Sequence, residues 1–106
     1  MGMLYIFKKA DMNQAVESYR NSPGAVLIDV RSPAEYAGGH IPGSINLPIQ
    51  MLQRAEDQLG SPETRIYVYC QSGARSSRAA KMLEIMGYSQ VTDLGGIGGY
   101  RGELEK

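Results

Sequence analysis

The stretch Arg65-Ile66-Tyr67-Val68-Tyr69-Cys70-Gln71-Ser72-Gly73-Ala74-Arg75-Ser76-Ser77-Arg78-Ala79-Ala80-Lys81-Met82-Leu83-Glu84-Ile85-Met86-Gly87 decides the fold. Its first six residues are rich in β-branched and aromatic side chains, which suit a pleated, buried strand. A glycine-containing loop follows. Residues 76–86 then read as a helix, with Ala79, Leu83 and Met86 on one face and Gly87 as the stop. A strand that passes through a short loop into a helix is the first half of a crossover unit, and such units build parallel sheets.

The same alternation continues outward in both directions. Ala25-Val26-Leu27-Ile28-Asp29 is an apolar run ending on an acid, the pattern of a strand covered on both faces. Before it, Asp11 and Gln14 have capping-box spacing, and a helix runs from there to about Arg20. Asn21-Ser22-Pro23-Gly24 makes the intervening turn. After it, Ser32-Pro33-Ala34-Glu35 is a capping box with Pro in the first helical position, and Gly38-Gly39 stops the short helix. Residues 44–47 suit a short strand. Pro48 opens a helix whose apolar positions are Ile49, Leu52, Ala55 and Leu59. Downstream, 91–94 suits a last strand, and 100–106 a short closing helix. The apolar run within residues 1–9 reads as a first strand. The expected fold is α/β: an open, mostly parallel five-stranded sheet with helices on both faces. Ligands of such sheets sit beyond the carboxyl ends of the strands, here the loops after Asp29, Cys70 and Leu94.

Composition narrows the function classes. A chain of 106 residues predicts one domain spanning 1–106, with 42% apolar and 21% charged residues in the ordinary globular balance. Eleven basic residues balance eleven acidic ones, so no overall basic footprint for nucleic acid is present. One Cys and one His build neither an internal disulfide nor a Cys/His zinc site, and there is no EF-hand loop. No metal or cofactor is expected. No apolar stretch approaches a membrane span, and the first residues lack a signal peptide's basic region and cleavage site. A lone Cys fits a reducing compartment, and the expected location is cytoplasmic. The Gly95–Gly99 run fails as a dinucleotide fingerprint, because Arg101 stands where its third glycine belongs and no βαβ unit follows.

The chemistry gathers at Cys70. The segment from Cys70 to Arg75 joins a strand to a helix start, where N–H groups lack intrahelical partners and the helix dipole is positive. Gly73 permits the curl that makes those N–H groups converge. A thiol at their focus is driven toward thiolate. Arg75, Arg78 and Lys81 add positive charge in the first turns, where a purely structural helix prefers acids. Two bland readings stand beside these: a small buried hydrophobe for Cys70, and a solvated face for Arg78 and Lys81.

Resemblance sharpens the choice. Cys70-Gln71-Ser72-Gly73-Ala74-Arg75-Ser76 resembles the C-x-x-G-x-R-S active loop of rhodanese-like sulfurtransferases. Residues 27–36 resemble that family's D-V-R-x-x-x-E-[FY] segment, residues 39–48 its G-H-I-P-G-A-x-N-[IL]-P segment, and Leu94-Gly95-Gly96 its closing L-x-G-G. The match runs from about Ala25 to Tyr100 in the family's order. The resemblance implies a single-domain thiosulfate sulfurtransferase working by double displacement through a Cys70 persulfide. The donor is thiosulfate or a persulfide, and the acceptor is cyanide or a thiol such as thioredoxin or glutathione. Gln71, Ser72, Gly73, Ala74 and Arg75 map onto the substrate-binding loop. Arg75 either contacts the donor or turns outward to an acid such as Glu35. The other class of reading is a non-catalytic module that binds a partner or senses redox state.

Loop length separates two chemistries. Related phosphatases have five residues between Cys and Arg, whereas four stand here. A shorter ring suits one sulfur better than a tetrahedral phosphate. His40 is expected to pack a loop rather than act as a base, and Asp29 and Arg31 to form structural ion pairs or loop hydrogen bonds. Tyr100 stands where many relatives carry Trp.

Overall fold

The computed structural model describes residues 11–106. Four strands form one sheet in the order β2-β1-β3-β4. They are β1 (Val26–Asp29), β2 (Ile45–Asn46), β3 (Arg65–Cys70) and β4 (Gln90–Gly96). Every pairing is parallel. The helices are α1 (Met12–Arg20), α2 (Pro33–Ala37), α3 (Glu56–Leu59) and α4 (Ala74–Ile85), with 3₁₀ turns at Ile49–Arg54 and Ile97–Gly99. The α/β class and the parallel open sheet are as expected. The fifth strand, expected within residues 1–9, lies outside the described residues.

Alternation along β3 divides the core in two. Ile66, Val68 and Cys70 face the layer of α4, α3 and the first 3₁₀ turn, packing with Leu52, Ala79 and Leu83. Tyr67 and Tyr69 face the opposite layer, with Val16 of α1 and Ile97. This two-residue period on a doubly covered strand is why β3 reads as one unbroken apolar run. Both layers are helical, as expected of a parallel sheet.

Several local expectations hold. Ser32 and Glu35 form the reciprocal capping box at the start of α2. Gly87 has φ +109, the left-handed geometry of a helix stop. The expected first cap is half present: the Asp11 side chain accepts from the Asn13 N–H, and no reciprocal Gln14 bond is found.

Two elements need correction. The single helix expected after Pro48 is a 3₁₀ turn followed by α3. Ile49, Leu52 and Ala55 are buried at intervals of three, which matches three residues per turn better than 3.6. The closing helix expected at 100–106 is absent. That segment is irregular and pairs with His40, each of His40 and Glu105 donating its N–H to the other's carbonyl at 2.8 Å. Gly102 disfavours helix there, and the bridge gives the backbone other partners.

Parallel strands align their carboxyl ends. Asp29 pairs with Tyr69 and Cys70 with Gly96, so the loops after β1, β3 and β4 meet at one edge. A bulge helps: Val68 pairs with Asp93 but Tyr69 with Gly95, so Leu94 is the extra residue. It shifts Gly95 and Gly96 into register with the end of β3.

Candidate active site

Cys70 is the last residue of β3, and its sulfur lies at the focus of the following loop. The Gly73 N–H donates to Sγ at 3.0 Å and the Ser76 N–H at 3.3 Å. Gly73 has φ +101, which an L side chain rarely adopts, and this turn aims its N–H back at the sulfur. The Ser76 hydroxyl bonds the Gly73 carbonyl at 3.1 Å and also acts on the thiol. Burial alone pushes the Cys70 thiol up. The Ser76 hydroxyl and the N–H groups of Ser76, Gly73 and Ser72 favour the thiolate; together they outweigh burial and bring the thiol below its ordinary value.

The sulfur is nevertheless fully covered, with 0% of the Cys70 surface exposed. Its flank packs in the apolar layer of Val68 and Ala79 while its head receives N–H donors. Cys70 is therefore both buried and addressed by amides.

The surrounding residues fasten the loop. Arg75 turns outward from the sulfur and forms a bidentate pair with Glu35, at 2.8 and 3.0 Å. The Arg75 guanidinium and the Ser32 N–H hold the Glu35 carboxyl well down, at about 2. Of the two roles open to Arg75, the structure displays the outward one, although its charge still acts on Cys70. Arg31 is buried and bonds the Asp29 carboxylate, with a shortest contact of 2.7 Å. It also donates to the Gly39 carbonyl at 2.7 Å and to Gln71 Oε1 at 3.0 Å. The pair expected of Asp29 and Arg31 is present, and it reaches the loop through Gln71. Gln71, Ala74 and Arg75 give no hydrogen bond to the sulfur. Of the expected set, the structure brings Gly73 into hydrogen-bond contact with Sγ, and the Ser72 N–H also favours the thiolate.

Sequence reading passed over three contributors. Ser76 is expected to open the helix and has no place in the expected site set, yet α4 begins at Ala74 and the Ser76 N–H reaches the sulfur. The last letter of C-x-x-G-x-R-S was the available signal. Arg31 is expected to make an ion pair or loop hydrogen bonds, without the Cys70 loop as its named partner, and its place in D-V-R, one strand from Cys70, is the hint. Gly96 belongs to the L-x-G-G segment, and no role at the Cys70 loop is expected of it. A Cβ there would lie 2.6 Å from the Gln71 carbonyl oxygen and 3.0 Å from Ser72 Cα. His40 packs its loop as expected, stacked on Tyr36 with ring centroids 3.7 Å apart. Among the described residues, no group of three His, Cys, Asp or Glu side chains is placed to hold a metal ion. No helix among them is long and apolar enough to cross a membrane.

A strand-end thiol ringed by amides, with four residues before a clasped Arg, defines a class that comparison with known proteins identifies. The rhodanese-like domain family matches residues 12–103, and the chain belongs to that family. The chain is 34% identical over 107 residues to YqhL of Bacillus subtilis, covering 95% of this chain and 82% of that protein. It is 35% identical over 71 residues to the thiosulfate sulfurtransferase PspE of Escherichia coli, covering 66% of this chain and 68% of PspE. A solved structure described as rhodanese with anions from E. coli superposes with a TM-score of 0.73 at 31% identity. That likeness covers 77% of this chain and 98% of the other.

Proposed function

We propose that this protein is a sulfurtransferase that moves sulfane sulfur through a persulfide on Cys70. The observation that carries the reading is the convergence of the Gly73 and Ser76 N–H groups on Sγ. The Cys70 thiolate attacks the outer sulfur of thiosulfate. A new S–S bond forms at Sγ, the S–S bond of thiosulfate breaks, and its electron pair leaves with sulfite. A persulfide donor reacts alike and releases a thiolate. In the second half-reaction an acceptor nucleophile, cyanide or a thiol such as that of glutathione or thioredoxin, attacks the outer sulfur. The Cys70 thiolate is then the leaving group. The resting thiolate and the persulfide are both anionic, so one set of fixed N–H dipoles serves both without rearrangement. Membership of a family that includes a named thiosulfate sulfurtransferase supports this reading. A reducing compartment, the cytoplasm, suits a lone reactive thiol.

The burial of Cys70 favours a second reading, in which the domain binds a partner or senses redox state without turnover. Intact mass after incubation with thiosulfate separates the two. Sulfurtransferase action predicts a gain of one sulfur by the native protein, its loss on adding cyanide, and no gain by Cys70→Ser. A native protein that takes up no sulfur from thiosulfate or from a persulfide would favour the binding module.

A further inference from the structure

The ring around Cys70 is closed and fastened on three sides. Cys70 has no exposed surface although Gln71, Ser72 and Ala74 beside it are exposed. Arg31 holds the Gln71 side chain at 3.0 Å. Arg75 holds Glu35 through two bonds. Behind the loop, Gly96 backs so closely onto Gln71 and Ser72 that even a methyl group would not fit. The loop therefore has little room to retreat toward β4, and its two ends are tied to residues that follow β1. Access to Sγ runs through the ring itself.

Resting on the sulfur-transfer reading, we propose that this ring is a size filter that sets the donor class. It admits a terminal sulfur, one bonded to a single heavy atom, and refuses the sulfur of a disulfide. Displacement at sulfur is in line, so nucleophile, attacked sulfur and leaving atom share one axis. The outer sulfur of thiosulfate or of a hydropersulfide carries no heavy substituent off that axis, and its leaving group points straight out of the ring. A disulfide sulfur also carries a carbon set to the side. With N–H donors already 3.0 and 3.3 Å from Sγ, that carbon meets the loop wall before the S–S bond can form. The admitted step balances without any oxidant: Sγ gains one S–S bond, the donor loses one, and the electron pair departs with sulfite or a thiolate. The loaded outer sulfur stands one S–S bond, about 2.05 Å, farther out, so an acceptor reaches it without reaching Sγ. The filter spares the single thiol from mixed-disulfide formation while leaving it open to sulfur.

The test compares donors on the reduced native protein: thiosulfate, glutathione hydropersulfide, glutathione disulfide, and the small uncharged hydroxyethyl disulfide. Intact mass is followed with time, and the urea-unfolded chain is the reference for both disulfides. An accessible thiolate of lowered pKa would react with disulfides at neutral pH faster than the unfolded thiol, because more of it is ionised. The filter predicts the reverse: sulfur uptake from the first two donors, and mixed disulfides forming at least about tenfold more slowly on the native protein than on the unfolded chain. Native mixed disulfides forming as fast as on the unfolded chain, with sulfur uptake intact, overturn the filter and leave sulfur transfer standing. No sulfur uptake from either donor overturns both.

Discussion

At the scale of the residue, a buried thiol is acidic only where hydrogen-bond donors outweigh its burial. Burial opposes the thiolate, and the amide and hydroxyl donors favour it and prevail. The thiolate fraction therefore falls only as pH drops through a value below that of a free thiol, about 8.5. The Ser76 hydroxyl, which donates to the Gly73 carbonyl, also favours the thiolate. Ser76→Ala should therefore raise the Cys70 pKa. The sulfur-uptake rate at neutral pH should fall and recover at higher pH. A pH–rate profile that keeps its midpoint while losing amplitude would show that Ser76 only supports the loop. Cys70 itself was legible in the sequence, since a strand end, a glycine loop and a helix start dictate where amides point. Which loop residues supply those amides was not legible. That depends on the curl at Gly73, and the side chains of Gln71 and Arg75 swing to partners that lie about forty residues away.

At the scale of the element, the helix start is held by contacts from two neighbouring segments. The Arg75–Glu35 pair ties α4 to α2. Because the pair is about a third exposed, Glu35→Gln should cost no more than about 1 kcal/mol in urea unfolding. The sign of its pH dependence is fixed by the lowered Glu35 pKa. The contribution is complete above about 4.5, the ordinary value, and is lost as pH falls toward about 2. Melting temperature measured across that window should fall further for native protein than for Glu35→Gln. Parallel curves would remove Glu35 from the clasp. The contact with β4 is steric. Gly96→Ala must displace the Gln71–Ser72 backbone, and overpacking of this kind costs roughly 1–3 kcal/mol. Sulfur uptake should fall by more than the stability loss explains, because the moved segment forms the ring. Unchanged uptake with lowered stability would make Gly96 a packing residue alone. The strands and main helices were legible because apolar period and capping chemistry agree within each. The 3₁₀ turn after Pro48 and the irregular 100–106 segment were not. A spacing of three fits two helix types, and the His40–Glu105 bridge joins residues that no local pattern connects.

At the scale of the molecule, parallel strands bring the ends of β1, β3 and β4 to one edge, and a buried ion pair at the end of β1 reaches the loop after β3. Arg31 keeps its charge although burial works against it, because the Asp29 carboxylate bonds it and lies close. Removing the acid leaves an uncompensated buried cation, so Asp29→Ala should cost about 3–5 kcal/mol in urea unfolding. A loss under 1 kcal/mol would mean that water or Gln71 replaces the partner. The alternation of strands and helices made this architecture readable, since each apolar run is covered on both faces. The fastening of the loop by Arg31 was hidden, because the sequence shows an acid and a base two residues apart and not where their remaining bonds go.

The central claim is that converging amides acidify the buried thiol of Cys70. Carbon NMR of cysteine-labelled protein reads it directly, because the chain has one Cys and hence one Cβ signal. Titrated through the neutral range, that signal should pass from thiol to thiolate with a midpoint below about 8.5, and the urea-unfolded chain should titrate near that value. A native midpoint at or above that of the unfolded chain would contradict the account.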